Sequence, residues 1–507
     1  MGKDMNTKEQ KSPVRIHQGN PKIFEFRGAP LALVTASEHY GSVMNRPFCF
    51  EQYLADAADK KMTLTRLFVL FRELQSASNP YSTCKPESPD YVAPYPRVGP
   101  GKALDGQPLY DLDRWNPEFF DRLHRFLALA SSYGIIVEVV ILSNTYGDPV
   151  WALNPLHPRN NINGIEEIHW SEYMTQQYKR LFSYQAGLVR KIVQETNPYD
   201  NLIYEICNEP GGSLDWAGSP TLDEVNDWQK ALAQVVRETE AELPNRHLIA
   251  GQEAFAYSLA DESQRSGPDV HQFADGTFAR TAFYDVANMH PLSNMIYRER
   301  HYDLGQFMSG RLCLANFRQY CLDTYQEAKP LNLDEDNAAS QYKNPAGWTL
   351  HRKRAWTALF CGCHYDVIDF SIINYCETGT PESQKHLRTW MKHLSEYIHS
   401  VDLVRARPAL QVICEHPEFT LPSVLAVEGQ DYNIYLADRR EWDEPGLGEP
   451  VCCELVCDLP DGEFVIASYS PLSGQYSPWS PLRGGPLTRL VLPEFIHDIV
   501  LRIRRRN

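Results

Sequence analysis

Short apolar runs alternate along this chain with stretches whose apolar positions recur at helical spacing, from about residue 31 to residue 400. Such alternation marks βα units built on a parallel sheet. The pattern predicts strands at Leu31–Ala36, Leu64–Phe71, Ile135–Leu142, Leu202–Cys207, His247–Gly251, Val286–Met289, Leu331–Leu333 and Val367–Ile372. It predicts helices at Phe50–Lys60, Pro117–Tyr133, Trp170–Thr196, Thr221–Leu243, Arg311–Lys329, Gly347–Cys361 and Ser383–Ser400. Ile135–Leu142 is apolar throughout except Glu138, as expected of a strand buried on both faces. Lys22–Gly28 reads as a hairpin strand ending in a Gly turn. Eight strands, all but the fifth followed by a helix, predict a (β/α)8 TIM barrel, with the long loops after the second and third strands walling a cleft on its catalytic face.

Near Arg405 the rhythm changes to short alternating segments: Leu410–Glu415, Ser423–Glu428, Asp431–Ala437, Cys452–Asp458, Glu463–Tyr469, Leu487–Leu492 and Asp498–Ile503. Turn signals such as Pro460-Asp461-Gly462 and Ser473-Gly474 separate them, which predicts a small antiparallel β-sandwich. The expected fold class is therefore α/β: a barrel with long loops plus a C-terminal sandwich. The expected division is a disordered segment over 1–18, the barrel over 19–403 and a sandwich accessory domain over 404–507.

Composition narrows the partners. The 507 residues are 43% hydrophobic and 22% charged, an ordinary globular mixture with enough apolar mass for a large core. A net charge of -16 argues against nucleic acid and anionic membrane surfaces. The basic cluster Arg502, Arg504, Arg505 and Arg506 reads as a solvated tail. No apolar run approaches the roughly 20 residues of a membrane helix. Met1–Val14 lacks the apolar stretch of a secretory leader, which points to a cytoplasmic chain, or a secreted one if a leader has been removed. The 12 cysteines suit a reducing compartment, and Cys207, Cys313 and Cys453 fall within apparent strands as small hydrophobes. Cys361-Gly-Cys363 and Cys452-Cys453…Cys457 lack zinc-site spacing, so no metal and no cofactor is expected. Oligomeric state is not legible.

The chemistry gathers at strand ends. Asn208-Glu209-Pro210 closes the fourth strand, where barrel enzymes carry their reactive groups. A carboxylate there, beside an amide, is a candidate general acid/base; the plain alternative is a loop Glu before a Pro. The seventh strand runs into Asp334-Glu335-Asp336, and Glu335 is the candidate nucleophile, with its two neighbours expected on the other side of the strand. A solvated acidic loop and a cation site are the alternatives. Arg66, inside the second strand, is a charge that needs a partner, and it is expected to hold Glu335 ionised and low in pKa. His290 ends the sixth strand and is placed to bond the nucleophile or a sugar hydroxyl. His39, within Glu38-His39-Tyr40, and Asn144 are candidate sugar contacts, and Gln252-Glu253 is a further polar pair. Tyr257, Tyr146, Trp151, Phe255 and Tyr375 are candidate stacking platforms for sugar rings; any of them is equally a packing residue.

Asn208-Glu209-Pro210, Glu335, Arg66 and His290 together resemble clan A glycoside hydrolases, in the cellulase-like superfamily, over residues 20 to 400. The resemblance implies a retaining β-glycoside hydrolase working through a covalent glycosyl-enzyme on a β-linked oligo- or polysaccharide. It implies Glu209 as acid/base, Glu335 as nucleophile, Asn208 as partner of the sugar 2-hydroxyl, and Arg66 and His290 as supports of the nucleophile. Two readings from other classes stand beside it: a non-catalytic carbohydrate-binding barrel, and a metal-dependent hydrolase using Asp334, Glu335 and Asp336.

Overall fold

The computed structural model describes residues 12–72, 85–258, 269–273, 282–293, 295–305, 308–340 and 344–506, the side chains of 257–258 and 269–273 excepted. Eight parallel strands form one sheet: β1 (Val34–Ser37), β2 (Leu64–Leu70), β3 (Ile136–Ser143), β4 (Leu202–Asn208), β5 (Leu248–Gly251), β6 (Val286–Asn288), β7 (Leu331–Asp336) and β8 (His364–Ile368). They are ordered β1-β8-β7-β6-β5-β4-β3-β2. Thr63, just before β2, brings the ends together: its N–H donates to the Val34 carbonyl at 3.0 Å and its Oγ1 accepts from the Val34 N–H at 2.9 Å. The ring is a (β/α)8 barrel.

Local chemistry explains the main helices. The helix α1 (Phe50–Asp59) follows β1, and α2 (Pro117–Tyr133) starts with Pro in its first turn, an Asn116 side chain capping the Glu118 N–H, and ends on left-handed Gly134. The next, α3 (Lys179–Thr196), begins well after the expected Trp170, because residues 170–172 form a single tight turn held by a His169–Glu172 capping box. A second capping box, Thr221 with Glu224, starts α4 (Leu222–Glu240). The set is completed by α5 (Leu314–Thr324), α6 (Pro345–Phe360) and α7 (Leu387–Ile398).

An antiparallel hairpin sheet, Arg15–His17, Asn20–Phe26 and Ala29–Leu31, caps the strand N-termini. Its Phe24 and Phe26 pack with Leu64, Ile136, Ile203 and Val286 as an apolar plug at that end. The hairpin corrects two expectations. Residues 15–17 are ordered strand rather than part of a disordered segment, and Leu31 belongs to the hairpin, so β1 starts at Val34. The eighth strand also sits earlier than expected, at 364–368, because the polar residues His364 and Asp366 find buried partners inside the barrel. Cys313 lies at the start of α5 with a left-handed backbone, not in a strand.

The C-terminal strands form two antiparallel sheets. Thr420–Val427, Asp431–Asp438, Asp498–Arg505 and Gly462–Ser470 lie side by side in the larger one; Ile413–Glu415, Glu454–Cys457 and Thr488–Val491 make the smaller. Val424, Ile434, Leu455, Phe464, Leu490 and Ile503 fill the space around them. The other face of the larger sheet packs on α6 and α7, where Trp356 stacks on Tyr435 at 5.7 Å and Tyr397 bonds Asn433 at 2.8 Å. The basic C-terminus is a strand rather than a tail: Arg504, Arg505 and Arg506 are exposed as expected, but Arg502 is buried and bonds Asp431 at 2.8 Å and Ser400 at 2.7 Å.

Arg352 on α6 meets Asp498 through two bonds, 2.9 and 3.0 Å, both side chains buried. Removing one partner strands a buried charge, so Asp498→Ala should cost about 3–5 kcal/mol in equilibrium denaturation. Glu454→Ala, which breaks the exposed Arg489 pair, should change stability by under ~1 kcal/mol. Equal effects would contradict a role for the Arg352–Asp498 pair in joining sheet and barrel.

Candidate active site

The centre of the barrel is polar where barrels of this kind are usually filled by branched apolar side chains. Arg66 of β2 is fully buried and serves several strands at once. Its Nη1 donates to Glu335 Oε2 at 2.7 Å, and its Nη2 donates to Glu205 Oε2 at 2.5 Å and Asn208 Oδ1 at 3.0 Å. Asp334 Oδ2 lies 3.5 Å from the same Nη2. The Tyr40 ring packs against the guanidinium at 4.8 Å.

Both carboxylates singled out in the sequence sit on unusual backbone. Glu209 follows the last residue of β4 with φ +47°, and Glu335 lies within β7 with φ +53°. Left-handed conformations are strained for non-Gly residues and cluster at functional sites. In β7 the register to β8 also shifts between Leu333 and Asp336. The consequence overturns the expected alternation: Asp334 and Glu335 both face Arg66 and His290. Asp336 turns away to Arg354, at 3.0 and 3.1 Å, and to the Tyr365 hydroxyl at 2.7 Å. The three consecutive acids therefore do not converge on one ion.

His290, two residues past β6, stands between the two carboxylates. Its Nδ1 is 2.9 Å from Glu209 Oε1, and its Nε2 is 3.5 Å from both Glu335 Oε2 and Asp334 Oδ2. On the far side of Glu209, the Tyr146 hydroxyl donates to Oε2 at 2.5 Å and accepts from Asn208 Nδ2 at 2.9 Å. Asn144 orients this tyrosine, accepting its N–H at 3.0 Å while donating to the Glu209 carbonyl at 2.8 Å. Gln252 Oε1 accepts the Glu209 N–H at 3.0 Å.

Of the other expected contacts, His39 lies against Tyr40 at 5.7 Å and Phe370 at 5.4 Å. Burial, then the charges of Lys85 and Arg66, hold its imidazole well below the ordinary pKa, so it is neutral. Tyr257 carries a side chain outside the described residues. Trp151 and Phe255 are buried packing residues. Tyr375 is 86% exposed, with a left-handed backbone, on the loop after β8. Sequence reasoning cast Tyr146 as a sugar platform, but its hydroxyl is the part that meets Glu209. It also passed over Glu205 and Glu138, although each is an acid inside an apolar strand, the same signal that exposed Arg66.

The electrostatics differ from expectation. Burial pushes Glu335 up to about 7; His290 and Arg66 pull against this, while Glu209 and Asp334 add to it. Arg66, which also serves Glu205 and Asp334, does not hold Glu335 low, because burial outweighs its charge. Burial also raises Glu209, but the bonds from His290 and Tyr146 outweigh it and leave Glu209 below the usual carboxylate range. His290 is shifted well upward: burial opposes its charge, yet Glu335, Asp334 and Glu209 overcome that. Among the described residues, Glu209, His290 and Glu335 each offer a ligand atom within 4.8 Å of the others, and deeper in the barrel Glu138, Glu205 and Asp334 do the same. These are the two groups of side chains that could hold a cation.

A family model described as cellulase (glycosyl hydrolase family 5) matches residues 25–309. The chain belongs to glycosyl hydrolase family 5. No curated protein sequence matches it. Among solved structures, one named a glycoside hydrolase is 12% identical, with a TM-score of 0.57 and 97% of each chain covered. A glycoside hydrolase family 5 structure from Bacteroides vulgatus ATCC 8482 is 13% identical, with a TM-score of 0.57 over 97% of this chain and 94% of that one. These likenesses extend the shared fold through the C-terminal sheets. This family 5 chain is an O-glycosyl hydrolase, and its substrate is a carbohydrate.

Replacing Tyr146 by Phe removes a donor to the ionised Glu209 and leaves the ring. The Glu209 carboxyl pKa should rise, measured by NMR titration of labelled glutamate side chains. An unchanged titration would show that the Tyr146 hydroxyl does not stabilise the Glu209 charge.

Proposed function

We propose that this family 5 enzyme is a retaining β-glycoside hydrolase acting on β-linked oligosaccharides, with Glu209 as acid/base and Glu335 as nucleophile. One observation carries the reading: a carboxylate oxygen of Glu209 and one of Glu335 lie within 4.8 Å of each other. Retaining enzymes hold their two carboxyl groups about 5–5.5 Å apart, whereas inverting ones leave ~6.5–9.5 Å for a water between them.

The residues then divide the work. Glu209 protonates the departing glycosidic oxygen while Glu335 Oε attacks the anomeric carbon and forms the glycosyl-enzyme bond. Glu209, now a carboxylate, takes a proton from water as that water displaces Glu335. Arg66 fixes the attacking carboxylate by its 2.7 Å bond. Asn208 spends its Oδ1 on Arg66 and one Nδ2 hydrogen on the Tyr146 hydroxyl; the second Nδ2 hydrogen, held only by Ser143 at 3.5 Å, is the one that can reach the sugar 2-hydroxyl. The productive state has the proton on Glu209, but the unliganded site favours Glu335. His290, bonded to Glu209 at 2.9 Å and with its Nε2 3.5 Å from Glu335, is the path by which that proton crosses. The two carboxyls titrate as a pair, not as independent groups.

Kinetics on matched substrates test this. Glu209→Gln should lose about 10²–10⁴-fold on a substrate with a poor leaving group and much less on an activated aryl β-glycoside. Glu335→Gln should abolish turnover of both. Retained turnover in Glu335→Gln would overturn the assignment.

The pH dependence follows from the pair. The profile of kcat/KM for the wild type should be bell-shaped, with its alkaline limb near pH 7, where the last proton leaves the pair. Activity undiminished well above pH 7 would contradict a shared catalytic proton.

A further inference from the structure

A cavity of about 360 Å³ opens where the barrel meets the C-terminal sheets, away from Glu209 and Glu335. Leu350 and Lys353 of α6, Leu312 before α5, Trp442 and Leu447 from the loop after Asp431–Asp438, and His497 line it. Most of the wall surface is apolar, and the charged residues Arg440 and Glu441 line it too. Trp442 is 69% exposed. At the base, Lys353 is only 2% exposed.

Lys353 is a buried cation without an acid of its own. Its Nζ donates to the main-chain carbonyl of Asp438 at 2.7 Å, and among the described residues it forms no ion pair. The nearby acids are committed elsewhere. Asp438 is held by Arg440 at 2.6 Å; Asp498 is held by Arg352 at 2.9 and 3.0 Å and by the Tyr435 hydroxyl at 3.1 Å. The Glu441 carboxylate accepts the N–H groups of Leu312 and Cys313, at 2.7 and 2.9 Å. His497 Nδ1, also buried, has no hydrogen-bond partner among the described residues. A buried charge is costly until it is paired, and burial already presses the Lys353 ammonium down to about 8.

Such a site asks for an anion, and its aromatic and aliphatic walls ask for one carried on a ring. We propose that this cavity is an accessory binding site for an acidic sugar, a single glycuronic acid unit, whose carboxylate meets Lys353 and His497 and whose C–H face lies on Trp442. A cavity of this volume falls within the range of small-molecule sites. The site acts in glycan recognition rather than in bond cleavage, and it does not depend on which carboxylate attacks.

Titration calorimetry and tryptophan fluorescence on the full chain test it, with sodium glucuronate, glucose and inorganic phosphate as probes. Glucuronate should bind about tenfold or more tightly than glucose, the worth of one charge-assisted contact. Lys353→Met should remove most of that preference. Trp442→Ala, an exposed substitution that does not threaten folding, should weaken glucuronate about tenfold and abolish the fluorescence change. Equal affinity for glucose and glucuronate would overturn the proposal. So would binding untouched by Trp442→Ala, phosphate binding as strongly as glucuronate, or no saturable binding of glucuronate.

Discussion

A single guanidinium, fully buried on β2, is what the barrel's interior chemistry is arranged around. Arg66 touches Glu205 and Asn208 on β4 and Glu335 on β7, so one side chain fixes both walls of the site relative to each other. The alternative, a barrel closed by apolar layers, would leave nothing to orient a carboxylate at the strand tips. The arrangement brings more acids than Arg66 and His290 can neutralise. Glu138, Glu205, Asp334 and Asp366 lie beneath Glu209 and Glu335, all but Glu209 buried. Burial raises Glu138 well above its ordinary value and Asp366 to about 7, so part of the layer is held as neutral acid. Burial, reinforced by the charges of Glu209 and Asp334, is why Glu335 resists ionisation although an arginine touches it.

The same constraint accounts for the strained backbone. A strand of regular pleat would put Asp334 and Glu335 on opposite faces. The shifted register of β7 and the left-handed φ at Glu335 put both on the inside, and left-handed Glu209 and Tyr146 aim two more groups at the same point. Several conformations that non-glycine residues avoid, gathered around one cluster of charges, require a surrounding core that over-determines them. The eight-stranded ring and its apolar plug supply it.

Much of this was legible in the residues. Periodicity located eight strands because each is short and apolar and most are bracketed by helix, and Arg66 declared itself as a charge inside such a run. Glu205 carried the identical signal and went unread, since an acid in a strand gains meaning only beside its cationic partner, which comes from a strand far away in sequence. The edges failed for local reasons: a capping box set apart a single turn at 170–172 before α3 began, and buried polar residues placed β8 ahead of its most apolar stretch. The facing of Asp334 was not readable, because a register shift has no signature in apolar alternation. The direction of the Glu335 shift depends first on how deeply its carboxyl is buried, which only three-dimensional packing reveals.

The central claim is that Glu335 forms a bond to the sugar while Glu209 manages the proton. The most direct test is to trap that bond with an activated 2-deoxy-2-fluoro β-glycoside, which slows the second step more than the first, and to read the adduct by intact mass and peptide mapping. A single glycosyl adduct on Glu335, released on adding an acceptor sugar, is the predicted result. An adduct on Asp334 or Glu209, or steady turnover with inversion at the anomeric carbon and no adduct, would contradict it.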